Sequence, residues 1–98
     1  MINSKGEIYS LKPKRIVKLV QSVARNGYKV VCLSNNGKQK TIYVHRLVAN
    51  AYFGAPEKGM QINHIDGNKH NNDVSNLEYV TAQYNIAHYW SLKRLVTI

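Results

Sequence analysis

"QINHIDGNKHNNDVSNLEYVTAQYN", residues 61–85, holds six asparagines and two histidines, more amides than local turn chemistry accounts for. Its order decides the fold. "QINHI" (61–65) is a short β-run, "DGNKHNN" (66–72) a polar loop opened by an Asp-Gly turn, and "NLEYV" (76–80) a second β-run. Thr81 is placed to cap a final helix, "AQYNIAHYWSLKRL" (82–95). Asn68, Asn71 and Asn72 read as loop formers, since asparagine tolerates left-handed backbone and bonds its own main chain. Asn63 and His64 lie at the end of the first strand, whereas Asn85 and His88 share a helix face at i and i+3. A strand pair packed on that helix would carry these four side chains toward one point, where a single hard metal ion would sit over a phosphate.

Moving toward the N-terminus, "HRLVANAYF" (45–53) repeats apolar residues at helical spacing and is stopped by Gly54 and Pro56. Before it, "YKVVCLS" and "KTIYV" flank "NNGK", and an Asn-Gly pair between two β-runs signals a hairpin, with strands near 28–34 and 39–44. "GEIYSL" (6–11) has the aromatic and β-branched content of a strand. "KRIVKLVQSV" (14–23) fits either one face of a helix or an edge strand. The expected class is α+β. A small antiparallel β region precedes a helix and a strand–strand–helix unit within one domain, 1–98, divided into a basic β-rich part (1–44) and a part holding the helix and the strand–strand–helix unit (45–98).

Charge points to the partner. Fourteen Lys and Arg stand against five Asp and Glu, a net +9, and ten of the fourteen lie with a single acid, Glu7, in residues 1–50. An excess confined to one half suits a polyanion held through its phosphates, most simply nucleic acid. Lys12, Lys14, Arg15, Lys18, Lys38, Lys40 and Arg46 are the candidate contacts. With Cys32 alone, neither an internal disulfide nor a CxxC zinc site can form. The first ten residues have no apolar signal core and no run approaches membrane-spanning length, so a soluble protein of a reducing compartment is expected.

The two motifs together resemble the HNH endonucleases of phage and intron origin, with the ββα-metal fold. "NSKGEIYSL" and "NGYKVVCLSNNGKQKTIYVHRLVANAYFG" are similar to the module associated with such nucleases, and "INHIDGNKHNNDVSNLEYVTAQYN" is similar to the HNH core. The resemblance implies that His64 is the general base and that Asn76 braces the loop and orients it. Asn63 and Asn85 would hold one divalent cation, Mg²⁺ or Mn²⁺, with His88 touching metal or phosphate. Many relatives carry Asp or His where this chain has Asn63, so weak metal binding without DNA is expected. The chemistry is coherent: two side-chain oxygens leave open positions on a hard cation, and imidazoles titrate near neutrality. The products implied have 5′-phosphate and 3′-hydroxyl ends.

Other residues have plainer readings. His45 packs at or caps the start of its helix, His70 is solvated, and Asp66-Gly67 is a turn. Tyr79, Tyr84, Tyr89 and Trp90 belong to the core around the last helix. The sequence therefore predicts a metal-dependent DNA endonuclease that nicks. No recognition helices follow Trp90, which predicts low sequence specificity. The alternative is a non-catalytic DNA-binding or nuclease-inhibiting regulator on the same fold. DNA is the expected partner, no membrane is involved, a homodimer is left open, and the expected setting is the cytoplasm of a bacterial host of the encoding phage.

Overall fold

Turn residues set the course of the chain in the computed structural model, which describes residues 1–35 and 37–88. Strand β1 (Tyr9–Lys12) pairs antiparallel with β2 (Arg15–Lys18), Lys12 opposite Arg15, so Pro13 and Lys14 make the turn. Proline's fixed φ suits the first corner of such a turn. This pairing resolves "KRIVKLVQSV" as strand. Its later part supplies β3 (Ser22–Val23), an edge strand of a second, three-stranded sheet.

In that sheet β4 (Lys29–Asn35) and β5 (Lys38–Tyr43) form the expected hairpin, running from Val30 opposite Tyr43 to Asn35 opposite Lys38. Gly37 adopts φ +78°, a conformation that costs a residue without Cβ little. Helix α1 (Val44–Phe53) starts directly from β5 and buries Val44, His45, Val48 and Ala49, a single stripe at helical spacing. It ends where Gly54 N–H donates to the Asn50 carbonyl.

The third sheet is the hairpin of β6 (Met60–His64) and β7 (Leu77–Thr81), with Met60 opposite Thr81 and His64 opposite Leu77. Between them, the loop ends in a 3-10 turn, Val74–Asn76, capped by Asp73 accepting from Ser75 N–H at 3.0 Å. Residues 82–88 are helical, and Thr81 Oγ1 accepts from Tyr84 N–H at their start. The rest of the expected helix, with Tyr89, Trp90 and the C-terminal run, lies outside the described residues.

Ile8, Val31, Val44, Val48 and Leu77 form the buried apolar cluster. The first two come from the basic half, two from α1 and one from the β6–β7 hairpin, and each contributes about 1.5–3 kcal/mol on burial. Leu77 is the register partner of His64, so this core directly supports the strand end that carries the histidine. Tyr84, expected inside, is instead 52% exposed. It lies in the first turn of the last helix, with its ring stacked on His88. Among the described residues, no helix is long and apolar enough to cross a membrane.

Candidate active site

His64 closes β6 with its ring buried, and the ring Nε2 lies 2.7 Å from Asn72 Oδ1. An amide oxygen can only accept, so Nε2 is the donor of this bond and Nδ1 is the other ring nitrogen. The ring sits 5.7 Å from Tyr28 and 5.3 Å from His45, centroid to centroid. Asn72, read from sequence as one more loop former, is therefore the direct partner of His64 and is itself buried. Its seat is made by the far end of the chain. Gly6, at φ +83°, packs so closely that an added Cβ would lie 2.7 Å from the Asn72 carbonyl oxygen, and Val74 N–H donates to the Ser4 carbonyl.

The loop before Asn72 is held by side-chain bonds. Asn76 Oδ1 accepts from Asp66 N–H at 3.0 Å, while its Nδ2 donates to Asp66 Oδ1 and the Asn71 carbonyl, both at 2.9 Å. The Asn71 side chain, then the Asn68 N–H and Asn76, hold the Asp66 carboxyl below its ordinary range. The Asp66 carboxylate is thus engaged within the loop. Lys69 fastens the loop to the basic half: its Nζ donates to the Asn26 carbonyl at 2.8 Å and lies 4.8 Å from the Tyr28 ring centre. His70 is exposed, as expected.

Asn63 immediately precedes His64 at the end of β6. Asn63 is 5% exposed and its Nδ2 donates to Glu78 Oε1 at 2.9 Å. Gln61, two residues earlier and so on the Asn63 face, accepts from Asn85 Nδ2 at 3.0 Å. Asn63 and Asn85 thereby occupy one face of the hairpin. Among the described residues no hydrogen bond joins His64 to either of them, and the His88 ring stacks on Tyr84, centroids 6.3 Å apart.

The donor chemistry suits a hard cation. Both amides use their nitrogens within the protein, and among the described residues no donor is bonded to the Oδ1 atoms of Asn63 and Asn85. Oxygen donors are what Mg²⁺ and Mn²⁺ take. Among the described residues no three His, Cys, Asp or Glu side chains converge, so an ion here would rest chiefly on amide oxygens.

A cleft of about 690 Å³ separates the basic sheet and α1 from the β6–β7 hairpin, with Tyr43, His45 and Arg46 on one wall and Gln61 and Asn85 on the other. His45 is buried, and its Nδ1 has no hydrogen-bond partner among the described residues. Burial first, then the neighbouring His64 and Arg46, lowers its pKa to about 4, so it is a neutral ring. Arg46 is exposed, its guanidinium 5.1 Å from the Tyr43 ring centre.

Lys14 and Arg15 are exposed at the β1–β2 turn, and Lys38 and Lys40 along β5. Lys12 lies in β1, its side chain outside the described part. Lys18 is committed to an ion pair with Glu7, so it is less free for phosphate than its neighbours. Sequence reasoning missed Glu78 altogether. The signal available was its position inside "NLEYV", opposite Asn63 once the hairpin is registered.

Comparison with known proteins agrees with this arrangement. Residues 42–87 match the family model described as HNH endonuclease. The DNA endonuclease I-HmuI of Bacillus phage SP01 is 38% identical over 90 residues, covering 92% of this chain and 51% of that protein. The SPbeta prophage-derived putative HNH homing endonuclease YosQ of Bacillus subtilis is 42% identical over 88 residues, 89% of this chain and 50% of its own. The chain thus spans about half the length of these two relatives. A solved structure concerned with DNA binding and cleavage by I-HmuI superposes with a TM-score of 0.78 at 38% identity, over 92% of this chain and 51% of that one. Motif, fold and relatives together place the chain in the HNH endonuclease family.

Proposed function

We propose that this chain hydrolyses DNA phosphodiester bonds as a metal-dependent nuclease that cuts one strand at a time. The observation that carries the reading is His64, whose Nε2 is occupied by Asn72 and whose Nδ1 remains to take a proton from water. Asn76 keeps the loop that delivers Asn72 in shape, so it positions the base without touching substrate. Asn63 and Asn85 would hold one divalent ion, with His88 within its reach or that of the phosphate. Such an ion neutralises charge on the scissile phosphate and the leaving oxygen. Lys14, Arg15, Lys38, Lys40 and Arg46 grip the backbone by charge. DNA as substrate is supported by the solved relative, which binds and cleaves it.

One base and one ion serve one hydrolysis. With Mg²⁺ or Mn²⁺ and limiting protein, supercoiled plasmid should turn to open circle well before linear product appears, and EDTA should stop the reaction. His64→Ala should lose most of the rate, measured on folded protein well below a melting point lowered by the unpaired Asn72 Oδ1. Full activity in that variant refutes the base assignment and favours a non-catalytic binding protein. Linear product formed concertedly refutes single-strand cutting.

A further inference from the structure

The metal face as described brings two neutral amides to a dication, a charge-poor set for a hard ion. Every other described carboxylate of residues 51–88 is accounted for elsewhere. Asp66 is bonded to Asn71, Asn68 and Asn76, Asp73 caps Ser75, and Glu57 is exposed in the turn before β6, away from the strand pair's register. Glu78 differs. It is half-buried, stands opposite Asn63 in the β6–β7 register, and accepts the Asn63 Nδ2–H through one oxygen only. Its Oε2 has no protein partner among the described residues.

We propose that Glu78 is the positioning residue that gives this metal site its charge. Two physical effects follow from the bond to Asn63. Fixing Nδ2 on Glu78 fixes the amide orientation, so Oδ1 is presented to the ion without a rotamer search. Donation to a carboxylate also polarises the amide and concentrates negative charge on Oδ1. The full negative charge of Glu78 then lies one side chain behind the ligand, where it offsets the dication through a partly buried path. In this chain the carboxylate is displaced from the ligand position itself to its partner across the hairpin. The inference rests on Asn63 and Asn85 being the ligands.

The test is Mn²⁺ binding without DNA, read from the electron paramagnetic resonance signal of free Mn²⁺ up to millimolar concentration. Glu78→Gln keeps the shape and can still accept the Asn63 bond, but removes the charge. It should weaken Mn²⁺ binding about 10–100-fold, the usual effect of losing an outer-shell partner. The double variant Asn63→Asp/Glu78→Gln puts the carboxylate on the ligand and should recover the affinity. Thermal melting without metal checks that each variant folds. If Glu78→Gln binds Mn²⁺ like the parent while Asn63→Ala and Asn85→Ala do not, Glu78 has no such role and the ligand assignment stands. If neither alanine variant changes the affinity, or the parent binds no Mn²⁺, the ligand assignment fails and this inference with it.

Discussion

Acid should destabilise this fold through one side chain, His45. Its pKa falls from 6.5 to about 4 because burial strips water from the ring, with the neighbouring His64 and Arg46 adding to the effect. Between those values the native protein binds fewer protons than the unfolded chain. The neutral ring's contribution is therefore complete above 6.5 and is lost as pH falls toward about 4. Linkage makes the loss about 2 kcal/mol between about pH 8 and about pH 5, and solvent near the cleft reduces this to about 1 kcal/mol. For a chain of this size that is about 4–8 °C in Tm.

The control is His45→Phe, which keeps an aromatic ring against Tyr28, 4.7 Å away, and removes a nitrogen that has no partner among the described residues. The other three histidines remain in both proteins and cancel in the comparison. Glu7, Asp66 and Asp73, whose carboxyls are held below their ordinary values, give up their contributions only at lower pH. Calorimetric melting from about pH 5 to about pH 8 should show a flatter profile for His45→Phe, crossing the parent at the acid end. Parallel profiles would refute the account: His45 would then carry its charge at no cost, and the ring would not be desolvated.

Two further outcomes follow from the structure. Gly6→Ala should lose about 2 kcal/mol or more through its positive φ and its collision with Asn72, and should lower plasmid turnover with little change in DNA affinity; Gly37→Ala, with nothing within 4 Å, should pay backbone strain alone and keep its rate. An equal loss of rate in both would mean that Asn72 does not govern His64. DNA affinity should fall steeply with salt, and neutralising Lys12, Lys14 and Arg15 together should flatten the logarithmic slope by about 2–3, one released counterion for each lost contact. An unchanged slope in fluorescence anisotropy titrations would remove the β1–β2 turn from the DNA grip.

Local signals were legible in the sequence, and long-range ones were not. The Asn-Gly hairpin and the "HRLVANAYF" helix came within a residue of their observed bounds, because turn geometry and helical period are written in neighbouring residues. The β1–β2 hairpin was hidden by "KRIVKLVQSV", where β-branched residues meet a helical period and only pairing with Tyr9–Lys12 decides. At the site, Asn72 looks like Asn68 and Asn71 because all three have the chemistry of turns. Asn72 is singled out by burial, and its burial comes from Gly6, at the other end of the chain. Glu78 is invisible for a related reason: its partner is fixed by strand register, which no single run of residues displays.

The wall that Gly6 and Ser4 build behind Asn72 bears on how such nucleases can be recombined. A cassette cut to the matched span, 42–87, would keep His64, Asn63, Asn76 and Asn85, yet shed Tyr28, the Gly6 turn and the carbonyl that receives Lys69. The residues that look like a detachable DNA-gripping attachment are also the mould in which the histidine's partner is set. Chimaeras that exchange the basic half should therefore succeed between chains that share a glycine at this turn. Where a side chain stands there instead, the graft would arrive with every proposed site residue present and His64 out of line with its partner.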